Sequence, residues 1–263
     1  MAQTPNLLNL LSAYNIVIFM LVFTRISGFI NSAPLFSTLP MPMPVKAWFC
    51  AAIAFILYPI IYVSKSYIMP HSMPEFFILL LIEFFVGFLI GFLANLVIEG
   101  VRMTGSILSI QMGLSMSQAL DPATGVSSTE ISRIYVYLAL LVFLATGAYQ
   151  VLFISLFDSF SAIPMGVFPA LSADMVNGFM VLFAQLFKIA FGIALPIFAV
   201  LLISDILLGM MNKMMPQMNI YMVALPVKIY IGYFLIIAFL SGTSVYMQGV
   251  IKNYIQAINL LFT

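Results

Sequence analysis

The chain has 263 residues, of which 64% are hydrophobic and 6% are charged, and its formal net charge is +1. Soluble domains carry about 25% charged residues, so this composition excludes a water-facing surface and predicts a membrane protein. A net charge near zero without clustered lysine and arginine argues against a nucleic-acid partner. The single cysteine, Cys50, excludes an internal disulfide, and its apolar surroundings predict a small buried side chain.

Six apolar segments are long enough to cross a bilayer, because about 20 apolar residues span the hydrocarbon core as a helix. They cover residues 10–30, 47–63, 76–98, 134–156, 176–203 and 227–248. Backbone groups in lipid must be paired within their own segment, so we predict an all-α membrane protein. No basic region precedes the first segment, and we expect it to be retained rather than cleaved as a signal. The fifth segment is overlong, so it must tilt, kink at Pro196 or leave the membrane.

The connection between the third and fourth segments, 99–133, is unusual in composition. Its central part, "GSILSIQMGLSMSQALDPATG" (105–125), has too many polar residues for a span and too many apolar ones for a solvated linker. Two interpretations remain open. One is irregular backbone that lines a protein cavity at membrane depth, and the other is an amphipathic helix at the interface.

Lysine and arginine residues near the segment ends predict the orientation. Those after the first, third and fifth segments outnumber those on the other side by six to two. The larger group is Arg25, Lys46, Arg102, Arg133, Lys213 and Lys228, and the smaller is Lys65 and Lys252. The excess predicts that both termini lie outside the cytoplasm.

Catalytic and metal-binding patterns are missing from the sequence. His71 is the only histidine, and it has neither a second nitrogen ligand nor a cysteine pair nearby. The serines lack a base and a nucleophile-elbow motif for acyl transfer. We therefore expect no enzymatic activity, no metal and no cofactor.

Two charges, Glu83 and Lys188, fall inside apolar segments, where a charge is costly and faces protein, water or a partner. They suit either the path of a secondary transporter or a pairing with each other or with another subunit. The Gly87-x-x-x-Gly91 step predicts close helix packing. Asp205, four residues before Gly209, is interpreted as a helix cap or as the contact of a basic partner.

Residues 210–228 read "MMNKMMPQMNIYMVALPVK", and six of the chain's 19 methionines lie between Met210 and Met222. Methionine side chains repack around varied surfaces. Because this stretch interrupts two apolar segments and contains proline, glutamine and asparagine, we predict a turn that contacts a partner.

Three stretches carry a resemblance to a known family: "RISGFINSAPLFS" (25–37), "QMGLSMSQALDPATG" (111–125) and "SDILLGMMNKMMPQMNIYMVALPVK" (204–228). They resemble FliR, the flagellar biosynthetic family of the type III export gate. The resemblance implies an inner-membrane subunit of the flagellar basal body that assembles with FliP and FliQ beside FlhB and passes unfolded export substrates. It also implies a FliP-like portion at 1–175 and a FliQ-like helical hairpin at 176–263.

The same resemblance implies roles for individual residues. A plug that closes the channel would comprise Ile110, Gln111, Met112, Gly113, Leu114, Ser115, Met116, Asp121 and Pro122. A partner-contact loop would comprise Asp205, Gly209, Lys213, Pro216, Gln217, Met218, Asn219, Pro226 and Lys228. The alternatives are a secondary transporter that uses Glu83 and Lys188, and a virulence-injectisome relative of the same fold.

Overall fold

A computed structural model of the chain describes residues 13–64, 70, 72–114, 130–167, 173–214 and 220–262. These residues form helices without any strand, so the predicted all-α class is confirmed. The helices are α1 (Ala13–Ser32), α2 (Pro34–Thr38), α3 (Met43–Ser64), α4 (Met73–Gln111), α5 (Glu130–Ala145), α6 (Ala148–Ala162), α7 (Ala173–Met214) and α8 (Ile220–Phe262).

Five of the described helices, α1, α3, α4, α7 and α8, are long and apolar enough to cross a membrane. The number rises to six if the bent pair α5 and α6 forms one span, which confirms the prediction of about six apolar helices. The fourth predicted segment, 134–156, is not one continuous helix. It breaks at Gly147, whose φ of +70° lies in the left-handed region that favours glycine.

Three helices are much longer than the segments predicted for them: α4 has 39 residues, α7 has 42 and α8 has 43. The predictions ended each segment where polar residues began, but a helical backbone pairs its own hydrogen-bonding groups whatever the side chains are. Residues 99–111 therefore continue α4 instead of starting a loop, and Glu99 and Arg102 form an ion pair three residues apart within it. Lys213 belongs to α7, and Pro226 and Lys228 belong to α8.

The chain divides into two compact units. The first comprises residues 1–95, 149–179 and 254–263, and the second comprises residues 96–148 and 180–253. The predicted division at residue 175 concerns likeness to two other subunits rather than compactness, and it stays a prediction.

In the first unit, α1 and the first half of α4 approach at backbone distance. A Cβ added at Gly87 would overlap the carbonyl oxygen of Arg25, and one at Gly91 would lie 2.6 Å from the carbonyl oxygen of Phe29. A Cβ at Gly28 on α1 would in turn lie 2.9 Å from the backbone nitrogen of Phe88. The close packing predicted from the Gly87-x-x-x-Gly91 step is confirmed, and α1 is the helix that packs against these two glycines.

In the second unit, the remainder of α4 packs on α5 and α7 through small side chains. A Cβ at Gly105 would lie 2.7 Å from the backbone nitrogen of Ser132 on α5, and one at Gly100 would lie 2.9 Å from the carbonyl oxygen of Leu186 on α7. The hydroxyl of Thr104 donates to the carbonyl of Ala190 at 3.2 Å. These contacts fix the second half of α4, whose last turn reaches the candidate site.

Candidate functional site

Asp205, in the interior of α7, joins three helices of the second unit. Its Oδ2 accepts a hydrogen bond from Nε2 of Gln111, in the last turn of α4, at 2.8 Å. Its Oδ1 pairs with the ammonium group of Lys228 on α8. The Lys228 side chain is 18% exposed and the Asp205 side chain 38% exposed, so the pair is partly accessible to solvent. One carboxylate therefore ties α4 and α8 to α7.

The end of α4 is shaped by glycine. Gly113 has a φ of +80°, and the backbone nitrogens of Gly113 and Leu114 donate to the carbonyls of Ile110 and Ser109, each at 3.0 Å. This pair of hydrogen bonds is a Schellman motif, which ends a helix with a left-handed glycine. The sequence "QMGL" thus ends α4 at Gln111 and turns the chain.

The turn packs directly on α8. Met112 is fully buried, and a Cβ at Gly232 would lie 2.5 Å from its sulfur atom. A Cβ at Gly113 would lie 2.5 Å from Cδ2 of Leu225. Both glycines therefore allow the end of α4 and α8 to approach more closely than larger residues would.

A pocket of about 510 Å³ opens beside these contacts in the second unit. Six of its ten lining residues belong to the two predicted functional sets. Three come from the predicted plug and three from the predicted partner-contact loop: Ile110, Gln111, Gly113, Asp205, Gly209 and Lys228. The structure thus brings together residues that lie about 100 positions apart in sequence.

The interpretation of Asp205 as a helix cap is wrong, because α7 continues to Met214 and Asp205 lies within it. The other interpretation was contact with a basic partner. The basic group that contacts Asp205 in the structure is Lys228 of the same chain. The described part of the predicted partner-contact loop is helical rather than loop. Asp205, Gly209 and Lys213 lie on α7, whereas Pro226 and Lys228 lie on α8.

Several predicted site residues fall outside the described ranges. In the plug these are Ser115, Met116, Asp121 and Pro122, and in the partner-contact loop they are Pro216, Gln217, Met218 and Asn219. His71 also lies outside. Within the plug, Ile110 and Gln111 are helical, so the segment 105–111 is neither irregular backbone nor a separate helix but the end of α4.

A second polar cluster surrounds Glu83 in the first unit. Nε of Arg25 donates to Oε2 of Glu83 at 2.5 Å, and both side chains are fully buried. The backbone nitrogen of Gly166, which follows α6, donates to Oε1 of Glu83 at 2.8 Å. Both carboxylate oxygens therefore have donors inside the chain.

The other nitrogens of Arg25 are also paired. They donate to the carbonyls of Ser159 at 3.0 Å and Ile163 at 3.2 Å, and the guanidinium lies 4.4 Å from the ring centroid of Phe160. This cluster connects α1, α4 and the end of α6. Because all three guanidinium nitrogens and both carboxylate oxygens have partners, burial of the charges is tolerable.

Arg25 is the residue that sequence reasoning missed, because it was counted as a charge at a helix end. It lies inside α1 and is ion-paired there, which lowers the orientation count to five against two. The signal that could have found it is the rule that singled out Glu83, since Arg25 also falls within a predicted apolar segment. Cys50 is buried and free, as predicted.

Lys188 differs from Glu83 in having an exposed side chain on α7. Among the residues that the structure describes, no hydrogen bond or ion pair of Lys188 is seen. It lies between two large exposed apolar residues, Phe187 and Phe191.

Comparison with known proteins gives a consistent result. A model of the family "Bacterial export proteins, family 1" matches residues 16–254. The chain is 32% identical over 247 residues to the flagellar biosynthetic protein FliR of Bacillus subtilis, covering 92% of this chain and 94% of that protein. It is 30% identical over 219 residues to FliR of Escherichia coli, covering 81% and 80%. The surface presentation of antigens protein SpaR of Shigella sonnei is 30% identical over 146 residues, covering 56% and 55%.

The long apolar helices and this match define the class: the chain is a helical membrane protein of a bacterial export apparatus. It belongs to family 1 of the bacterial export proteins, and its full-length similarity lies with the FliR members.

Proposed function

We propose that this chain is a structural, channel-forming subunit of a flagellar type III export gate in the bacterial inner membrane. It assembles with FliP and FliQ, contacts FlhB, and passes unfolded export substrates without catalysing a reaction. Both termini lie in the periplasm, as the excess of basic residues on the other side favours.

The exposed face of α7 in the second unit carries this proposal. Large exposed apolar side chains run from Met180 to Met214, which corresponds to about 51 Å of helix at 1.5 Å per residue. A hydrocarbon core is about 30 Å thick, so tilt alone would have to exceed about 50°, beyond the range of 0 to 40° seen for membrane helices. A tilted helix in lipid would therefore leave part of this face outside the hydrocarbon core. Neighbouring protein subunits can cover that part.

Lys188 supports the same reading, because an exposed ammonium in the middle of this apolar face is costly against lipid. We assign it to contact with a carboxylate of a neighbouring subunit or with water in the channel. Replacing Lys188 with methionine should reduce recovery of the assembled complex, whereas Lys188→Arg should retain most of it. Equal recovery of both variants and the unmodified chain would remove Lys188 from the interface.

The plug, from Ile110 to Pro122, begins in the last turn of α4 and closes the channel at rest. Apolar side chains such as Leu114 and Met116 fill a lumen without leaving buried charges unpaired. Met112, which was predicted to share this role, is instead buried against Gly232 on α8. The described residues sharpen the test: a deletion should begin at Ser115, since Gln111 and Met112 make contacts that hold α4 in place.

The partner-contact loop faces FlhB and the entering substrate. Replacing Gln217 and Asn219 together with leucine should impair export while the complex still assembles, because leucine removes the polar groups through which we expect the loop to contact its partner. Normal secretion by this double variant would contradict the assignment.

Two alternatives are less well supported. A secondary transporter using Glu83 would need an available carboxylate, but both oxygens of Glu83 accept hydrogen bonds within the chain. An injectisome role is suggested by SpaR of Shigella sonnei, whose match covers about half of the chain.

The assignment is tested by affinity isolation of the tagged full-length chain from native membranes, with identification of the bound subunits. We expect other small membrane subunits of the export apparatus, and no solute uptake by the chain alone in liposomes. Deletion of residues 115–120 should leave that complex intact and make resting cells permeable to ions. A self-sufficient monomer that moves small solutes would overturn the proposal.

A further inference from the structure

Asp205 is the residue through which the end of α4 is bonded to α7. Its two oxygens have different partners. Oδ1 forms an ion pair with Lys228 on α8, and Oδ2 accepts a hydrogen bond from Gln111 on α4. The contact with Lys228 connects two helices that are adjacent in sequence. The contact with Gln111 instead connects the hairpin to a helix end that lies 94 residues earlier.

The last turn of α4 is otherwise held by apolar packing. Met112 is buried against Gly232, and Gly113 lies beside Leu225. Such contacts are not directional, whereas the hydrogen bond from Gln111 requires a defined position of the turn. The chain that leaves this turn at Leu114 leads directly into the remainder of the predicted plug.

The exposure of Asp205 suits a reversible contact. A fully buried carboxylate would lose its donor at high cost, but a side chain that is 38% exposed can exchange Gln111 for water. The adjoining pocket of about 510 Å³ is lined by Ile110, Gln111 and Gly113 and gives this side of the turn room to move. Met112 must leave its packing against α8 when the turn opens.

From these observations we infer that Asp205 is a latch for the plug. The Gln111–Asp205 hydrogen bond holds the end of α4 on the hairpin while the channel is closed, and it breaks when the plug moves. Lys228 holds the other carboxylate oxygen and so orients Asp205 toward Gln111. The inference rests on the proposed function for the role of the plug, but the tether itself concerns only described residues.

Cysteine labelling of the assembled complex in native membranes can test the latch. Met112→Cys in a Cys50→Ala background places one thiol at a fully buried position, and its rate of reaction with a maleimide reports how often the turn opens. Gln111→Leu and Asp205→Leu should each raise this rate up to about fivefold, since exchanging a partly exposed partner for water costs about 1 kcal/mol. The double variant should react no faster than the faster single variant, because both changes remove the same contact.

Glu99→Leu is the matched control. Glu99 lies in the same unit and its side chain is 39% exposed, close to that of Asp205, but its partner Arg102 is in its own helix. Its loss should leave the labelling rate within a factor of two. If leucine at position 205 prevents assembly, Asp205→Asn serves instead: it retains an oxygen for Gln111, so Gln111→Leu should still accelerate labelling in that background.

Ion permeability of resting cells separates the latch from the proposed function. Faster labelling with increased leak supports both. Faster labelling without leak supports the tether but contradicts the plug's role in closure. Unchanged labelling in Gln111→Leu and Asp205→Leu, or equal acceleration by Glu99→Leu, overturns the latch, even if deletion of residues 115–120 makes the membrane leak.

Discussion

The Arg25–Glu83 and Asp205–Lys228 pairs have similar chemistry but different surroundings. In the first unit, both side chains are fully buried and the donors and acceptors around them are protein groups. In the second unit, the pair is partly exposed beside a pocket, and one oxygen of Asp205 bonds to the end of α4.

This difference separates a fixed contact from a movable one. A buried ion pair cannot be opened without leaving an uncompensated charge, which costs about 3 to 5 kcal/mol. A partly exposed pair can exchange a partner for water at a cost of about 1 kcal/mol or less. The first unit therefore holds α1, α4 and α6 in one arrangement, whereas the second can release the end of α4.

The largest effect should follow removal of one partner of the buried pair. Glu83→Leu leaves the guanidinium of Arg25 without its carboxylate, and we expect a loss of about 3 to 5 kcal/mol in the free energy of unfolding. The measurement is thermal unfolding of the purified complex in detergent, with recovery of native-size complex as a second readout.

The companion variant Arg25→Met with Glu83→Leu removes both charges. It should recover much of the lost stability, because replacing a whole buried pair by apolar residues of similar volume is often neutral. A double variant as unstable as Glu83→Leu alone would show that the helices require the ionic contact itself.

A somewhat smaller effect is expected from Gly87→Ala, which attacks the same region through the backbone. The added methyl group would overlap the carbonyl oxygen of Arg25, so α1 and α4 must separate. Overpacking of this kind costs about 1 to 3 kcal/mol. The control is Gly242→Ala on α8, where a Cβ meets no atom within 4 Å; it should be neutral or stabilising by up to about 1 kcal/mol. Similar melting temperatures for the two variants would contradict the close approach.

Much of this architecture follows from composition and apolar length alone. The all-α membrane class and the close packing at Gly87 and Gly91 were predictable, because both depend on local chemistry. Helix ends were not predictable. Past residue 98, Glu99 and Arg102 pair within α4, and Gly100 and Gly105 let the helix pack on α7 and α5.

The pairing of side chains that are distant in the chain could not be predicted from the sequence either. Nothing in one chain says that Arg25, rather than Lys188, neutralises Glu83, or that Asp205 reaches Gln111 across 94 positions. Such contacts depend on how the helices pack, whereas residue type shows only which side chains are able to form an ion pair or a hydrogen bond. The predicted plug and partner-contact loop were found by resemblance, and their meeting at one pocket needed the structure.

A moderate effect should follow removal of the partly exposed pair. Lys228→Met should lower the free energy of unfolding by about 1 kcal/mol or less, because water screens the charges. It should nevertheless increase labelling of Met112→Cys, since Asp205 loses the cation that orients it. If Lys228→Met lowered the free energy of unfolding as much as Glu83→Leu does, the buried and the partly exposed pair would not differ in strength.

The smallest effect completes the series. Glu130 and Arg133 on α5 form an ion pair at 3.3 Å whose side chains are 71% and 46% exposed, and both lie in one helix. Glu130→Gln should change the free energy of unfolding by no more than about 0.5 kcal/mol, because exposed pairs three residues apart contribute little. It should leave labelling at position 112 unchanged, since this pair connects no second helix. Stability losses that fall in the order Glu83, Lys228, Glu130 would show that burial sets the strength of each contact. An effect of Glu130→Gln on labelling would mean that general charge, rather than the bond from Gln111 to Asp205, governs the end of α4.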